Sequence, residues 1–103
     1  VPLVSGTTGL SKSDWARLKA AARKIPVLYS ANMSPGVALF VRVLQNFKAI
    51  KDWNFEIEES HHQHKRDKPS GTALLLQQTL EKNIGRKTGT IVSHRLGDVP
   101  GTH

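Results

Sequence analysis

Apolar and polar residues recur along this chain with two different spacings, and the switch between them lays out the predicted elements. Residues 1–4 are a short apolar run, consistent with a buried strand, and Ser5-Gly-Thr-Thr-Gly9 is a turn. Trp15, Leu18, Ala22 and Ile25 then recur at helical spacing, with Lys12, Arg17, Lys19, Arg23 and Lys24 largely elsewhere. That predicts an amphipathic helix over residues 12–24, stopped ahead of Pro26, with Ser11 as its N-cap and Asp14 as the capping-box acid. Residues 26–29 (PVLY) read as a second strand and SANMSPG as a loop. Ser34 caps and Pro35 opens a helix over residues 36–50, whose broad stripe of Val37, Leu39, Phe40, Val43, Leu44 and Phe47 predicts that it is mostly buried.

Beyond Lys51 the spacing changes. Trp53, Phe55 and Ile57 alternate strictly with Asn54, Glu56 and Glu58, which predicts a half-exposed strand. A helix over residues 72–83 follows, capped by Ser70, with Leu74, Leu75, Thr79 and Leu80 expected on its packed side. Residues 84–89 form a turn, residues 90–96 a strand and residues 97–101 another turn. The order strand-turn-helix-strand-loop-helix is the rhythm of a parallel α/β unit, and the composition shift near Lys51 points to a junction with a strand-helix-strand unit.

Composition narrows the class. The 103 residues suffice for one small domain, and 38% hydrophobic content excludes a disordered chain. No run reaches the roughly 18 apolar residues of a membrane span, and the absence of cysteine removes disulfide and thiolate chemistry. A soluble, cytoplasmic protein is the expectation. The beginning VPLVSGTTG, with no initiator Met, reads as the interior of an α/β fold and suggests a piece of a longer chain. The net charge of +7, from 15 Lys and Arg against 8 Asp and Glu, suits an anionic partner: a nucleic acid, a membrane surface or a small polyanion.

The charge is concentrated where the chemistry is. His61 to Lys68 holds three histidines, two lysines and an arginine, directly before Pro69-Ser-Gly-Thr72 and an apolar helical run. Ser70, Gly71 and Thr72 at a helix N-terminus can offer backbone N–H groups and hydroxyls to a carboxylate or phosphate. A plain N-cap is the commoner meaning of such a motif taken alone, but His61, His62 and Lys65 stand beside it at a strand end, where α/β folds bind ligands. Imidazole and a partly desolvated ammonium are proton carriers. Because neighbouring strand residues face opposite sides, His61 and His62 can serve one centre only if the strand ends there. A metal is not expected: His62, His64 and Asp67 are the only candidate ligands, and the surrounding cations oppose a dication. Nucleic-acid binding through Lys65, Arg66, Lys68 and the helix cations is the competing possibility, weakened by the lack of interleaved aromatics for stacking. Gly6-Thr-Thr-Gly9 and Ser30-Ala-Asn-Met33 should lie together at one sheet edge as a second phosphate or cofactor contact.

Glu59 and residues 61–73 (HHQHKRDKPSGTA) resemble the signature E-x-H-H-x-x-K-x-D-x-P-S-G-T-A of the 4-hydroxy-tetrahydrodipicolinate reductase family, also called dihydrodipicolinate reductase. The resemblance extends to GTTG at residues 6–9, to (S/A)AN(F/M)S at residues 30–34, and to R-x-G-x-x-x-G-x-H at residues 95–103. It spans the whole chain in order. It implies an α/β to α+β architecture: the end of a Rossmann-like cofactor domain over residues 1–33, then part of a mixed-sheet substrate-binding and tetramerisation domain over residues 34–103. It implies hydride transfer from NADH or NADPH to a cyclic conjugated imine dicarboxylate on the diaminopimelate route to lysine. His61 and Lys65 take the proton-transfer roles, while His62, Ser70, Gly71 and Thr72 contact the substrate. Gly6, Thr7, Thr8, Ser30, Ala31, Asn32 and Met33 contact the cofactor. The family's usual homotetrameric assembly follows from the same resemblance. The 103 residues alone are expected to be inactive, because the family's glycine-rich fingerprint and ribose-selecting residue are not among them. For the same reason the choice between NADH and NADPH is not legible. The non-enzymatic alternative is a basic anion- or nucleic-acid-binding module.

Overall fold

A computed structural model describes all residues, Val1–His103. Two compact units divide the chain, Val1–Met33 and Ser34–His103, so the composition shift near Lys51 falls inside the second unit.

In the first unit, β1 (Leu3–Ser5) leads through the glycine turn into α1 (Lys12–Ala22) and then β2 (Val27–Tyr29). The two strands pair in parallel with Ser5 opposite Tyr29, as strands joined by a crossover helix do. α1 starts where it does because Ser11 and Asp14 form a reciprocal capping box. The Ser11 hydroxyl accepts from the Asp14 N–H at 3.2 Å, and the Asp14 carboxylate accepts from the Ser11 N–H at 3.0 Å. The Ser11 hydroxyl also donates to the Asp14 carboxylate at 2.5 Å, and this bond first, then that from the Ser11 N–H, holds the Asp14 carboxyl below its ordinary range. Trp15 meets Tyr29 edge to face, with ring centroids 4.7 Å apart, tying helix to strand.

In the second unit, α2 (Pro35–Leu44) is followed by a short 3-10 turn (Phe47–Ile50), then β3 (Glu58–His61), α3 (Gly71–Ile84) and β4 (Val92–Arg95). β3 and β4 pair in parallel from Glu58↔Val92 to His61↔Arg95. A single antiparallel bridge, Ser60↔Thr102, brings the last residues alongside β3. Leu44, Leu76, Leu80 and Ile84 form the core, with Val41, Phe47, Phe55 and Ile57 packed against it. Leu76, Leu80 and Ile84 are four residues apart, so one edge of α3 supplies most of the core. Leu80→Ala is therefore expected to cost about 2–5 kcal/mol, read as a lowered urea midpoint for unfolding.

Five expectations need correction. The strand expected to be buried at the start of the chain, β1, is largely exposed. The helix predicted over residues 36–50 breaks after Leu44. The Asn46 side-chain amide donates to the Arg42 carbonyl at 3.1 Å while the Asn46 N–H turns to Val43, and this competition ends the α-helical ladder. Nor is that helix mostly buried: only Leu44 is, and Leu39, Phe40 and Val43 lie on faces that no element of the unit covers. Residues 53–57 are extended but form no strand. The alternation holds only for Phe55 and Ile57, which pack inward, whereas Trp53 is exposed, and the carbonyls of Lys51 and Trp53 accept from the Arg86 guanidinium instead of a neighbouring strand. Finally, Leu74 is exposed and Leu76 takes its place, because three consecutive leucines leave the phase of the helix open to a reading by spacing alone. At the coarse level the α/β expectation holds, as small parallel sheets joined by helices. No helix is long and apolar enough to cross a membrane.

Candidate active site

β3 ends at His61, and the chain immediately after it carries Lys65, Arg66 and Lys68, the cations of the motif. The strand does therefore end in time for His62 to leave its plane. The turn at residues 62–68 is pinned to the neighbouring strand by main-chain bonds: Leu96 N–H to the His61 carbonyl at 3.0 Å and Gln63 N–H to the Gly97 carbonyl at 2.9 Å. The Lys68–Pro69 peptide is cis, and Ser70 then caps α3, its hydroxyl accepting from the Ala73 N–H at 3.1 Å.

At the centre lies Glu59, a carboxylate with no exposed side-chain surface. One oxygen accepts from the Ser70 N–H at 3.2 Å. The other accepts from Arg95 Nη1 at 2.9 Å and from His61 Nδ1. Burial alone would raise the Glu59 pKa, but these donors outweigh it and bring it from 4.5 to about 2. Arg95 contributes most, with Ser93, His61 and Ser70 behind it. The Ser93 hydroxyl is buried and lacks a partner at full hydrogen-bond geometry, though it lies close enough to the carboxylate to favour the charged form.

Arg95 does more than neutralise. Its Nε donates to the Lys65 carbonyl at 3.3 Å and its Nη2 to the Asp67 carbonyl at 2.5 Å. One planar guanidinium thus holds the backbone of the cationic loop to the buried carboxylate. Lys65 Nζ pairs with Asp67 at 2.9 Å, and the other Asp67 oxygen accepts from the Gly71 N–H at 3.3 Å. Burial opposes this charge too, yet Lys65 and Gly71 keep the Asp67 carboxyl below its ordinary range.

His61 and Ser70 are linked a second way. His103 Nε2 bonds the Ser70 hydroxyl at 2.9 Å, and its ring meets that of His61 edge to face, centroids 5.1 Å apart. Burial, with the nearby His61 charge, lowers the His103 pKa from 6.5. A Cβ on Gly101 would stand 2.7 Å from His61 Nε2, so only glycine leaves room beside that nitrogen.

The sequence-predicted residues of the second unit fall out as follows. His61, Lys65, Ser70 and Gly71 come together around Glu59 and Asp67, and Thr72 is buried in the first turn of α3. His62 is exposed, its ring 6.2 Å from that of His64, with no bond to the buried carboxylate. No group of three His, Cys, Asp or Glu side chains is placed to hold a metal ion. Two of the N–H groups expected to receive an external anion, those of Ser70 and Gly71, already receive Glu59 and Asp67. Sequence reasoning gave no role to Glu59, Arg95 or His103 and weighed Asp67 only as a metal ligand, although all four stand in the quoted motifs.

In the first unit, the turn after β1 and the segment after β2 lie at the same edge of the parallel pair. The Tyr29 hydroxyl donates to the Thr7 carbonyl at 2.7 Å, the Ser30 N–H to the Ser5 carbonyl at 3.1 Å, and the Ser30 hydroxyl to the Asn32 carbonyl at 2.6 Å. Gly6 presents its Cα toward the Ser30 carbonyl, where a Cβ would come to 3.6 Å.

Comparison with known proteins decides the family. The family model described as dihydrodipicolinate reductase, C-terminus, matches residues 36–103, and that described as dihydrodipicolinate reductase, N-terminus, matches residues 1–33. The chain belongs to the dihydrodipicolinate reductase family. Among curated relatives named 4-hydroxy-tetrahydrodipicolinate reductase, that of Bdellovibrio bacteriovorus is 49% identical over 102 residues, covering 99% of this chain and 44% of its own. That of Wolinella succinogenes is 39% identical, covering 99% and 48%, and that of Thermomicrobium roseum 52% identical, covering 78% and 31%. The chain thus spans about half the length or less of the dihydrodipicolinate reductases it matches.

Proposed function

We propose that this chain carries acid–base and carboxylate-binding groups of an NAD(P)H-dependent reductase. Its substrate is the cyclic conjugated imine dicarboxylate dihydrodipicolinate, formed by loss of water from 4-hydroxy-tetrahydrodipicolinate, and its product is tetrahydrodipicolinate on the diaminopimelate route to lysine. Residues 1–33 belong to the cofactor domain and residues 34–103 to the substrate domain. The reading rests above all on the geometry around Glu59, which holds an imidazole and a helix N-terminus on one buried carboxylate, with an ammonium group at the flank.

The roles follow from charge. A dicarboxylate ring suits the Ser70-Gly71-Thr72 turn and Lys65, where amide dipoles and an ammonium meet negative charge. Asp67 already engages both Lys65 and the Gly71 N–H, so an incoming carboxylate takes over donors that an internal carboxylate keeps in position. The nicotinamide cofactor supplies the hydride. Hydride arrival at the conjugated C=C–C=N system leaves negative charge on an enamine, and His61 or Lys65 delivers the balancing proton to carbon. The cations around the ring stabilise the charge as it develops. His62, exposed beside them, contacts the substrate.

In the first unit, Gly6, Thr7, Thr8 and Ser30 to Met33 fit a cofactor contact. They lie past the carboxyl ends of two parallel strands, where α/β folds bind ligands. The isolated 103 residues turn over little, and the intact enzyme is a homotetramer. The apolar surface that α2 leaves open (Leu39, Phe40, Val43) is the kind an assembly covers.

Pyridine-2,6-dicarboxylate, a planar analogue of the ring, separates this reading from the basic-module alternative. It is expected to shift the amide resonances of His61, Lys65 and Ser70 to Thr72, while binding to DNA or RNA stays weak at moderate salt. No shift at these positions, together with tight and steeply salt-dependent nucleic-acid binding, would favour the alternative.

A further inference from the structure

A histidine that moves a proton has two ring nitrogens, and something must decide which one works. Here the decision is made inside the fold. Glu59 is ionised, so it can only accept, and the ring nitrogen facing it must donate. That nitrogen is Nδ1. The opposite edge of the ring passes Gly101, where even a methyl group would strike Nε2 and Cδ2 at 2.7 and 2.8 Å. One nitrogen is therefore occupied by a buried carboxylate and the other is kept clear by a glycine.

We propose that Glu59 is the positioning residue for His61, fixing its neutral form as the Nδ1–H tautomer so that Nε2 is the nitrogen that carries the transferred proton. The proposal rests on the acid–base reading of His61 given above. Arg95 belongs to the device: it holds the Glu59 oxygen that faces Nδ1, at 2.9 Å, and is itself fastened to the carbonyls of Lys65, Asp67 and His94. The second Glu59 oxygen, on the Ser70 N–H, keeps the imidazole in register with the start of α3. A glutamine at position 59 could still accept at Nδ1. Its NH2 would then face the Ser70 N–H, so ring and helix could no longer both be satisfied.

Two measurements test this. Long-range 15N–1H correlation of the histidine side chains in the wild-type protein reads the tautomer without any turnover. His61 is expected to show a protonated Nδ1 and an unprotonated Nε2 in its neutral form; the reverse assignment overturns the proposal. In the intact enzyme, Glu59→Gln is expected to lower kcat about 10- to 100-fold, with KM for the dicarboxylate changed much less and a mixed tautomer signal at His61. An unchanged kcat in a folded Glu59→Gln enzyme also overturns it. If the variant does not fold, the wild-type tautomer decides alone. Normal turnover in His61→Ala would instead sink the acid–base reading, a result distinguishable from an Nε2–H tautomer in an enzyme that still depends on His61.

Discussion

His61→Ala and Lys65→Ala are each expected to lower turnover of the intact enzyme by about 10²- to 10⁴-fold, without unfolding it. The loss is large because, in the roles proposed, each removes a proton carrier, and in the case of Lys65 also a cation that receives a carboxylate. The fold survives because neither side chain holds the loop. Arg95 binds the carbonyls of Lys65 and Asp67, which an alanine backbone keeps, and Glu59 retains Arg95 and the Ser70 N–H when the imidazole is gone. The two variants should differ in kind. His61→Ala lowers kcat with little change in KM, whereas Lys65→Ala also raises KM, because an interaction made in the ground state is lost as well. Steady-state kinetics beside thermal unfolding by circular dichroism checks both. Full activity in both variants would remove the proton-transfer assignment.

What the sequence disclosed and what it hid divide along physical lines. Local rules were sufficient wherever the neighbours in sequence are the partners in space. The Ser11–Asp14 box, the Ser34 and Ser70 caps, Pro35 in the first turn and the stop before Pro26 are contacts across three or four residues, and each is present. Failures came where a distant residue decides. Arg86 satisfies the carbonyls near Trp53 from 33 and 35 positions away, and no alternation pattern announces that. The core phase of α3 depends on α2 and Phe55, so Leu76 rather than Leu74 is buried. The site shows the same division. That His61, Lys65 and the Ser-Gly-Thr turn come together was legible because titratable and donor groups cluster in sequence. Glu59 and Arg95 were legible only as letters of a motif. Their function lies in a bond across 36 residues that exists because β3 and β4 run side by side.

That bond also sets an acid limit on the second unit. Glu59 has its pKa drawn down from 4.5 to about 2: burial pushes upward, and the Arg95, Ser93, His61 and Ser70 donors override it. A carboxylate whose folded pKa is depressed adds stability that is fully present above its unfolded pKa and is lost as pH falls through the folded one. The window is therefore pH 4.5 down to about 2. At about 1.4 kcal/mol per pH unit, the gap is worth about 3 kcal/mol, a large share of what a domain this small possesses. Protonation does not merely cancel one bond. It leaves Arg95, only 12% exposed, with a neutral partner, and it loosens the carboxylate that ties β3 to the start of α3. Asp67 and Glu81 are also held below their ordinary range and act in the same direction, but they are more exposed and better screened. Glu59→Gln separates the contributions. Urea unfolding of the wild-type protein should weaken steeply between pH 4.5 and about 2, whereas the variant, less stable at neutral pH, should show a shallower decline. Parallel curves for the two proteins would mean that the Glu59 carboxylate gains nothing from its donors in the folded state, and both its structural and its positioning role would fall with that result.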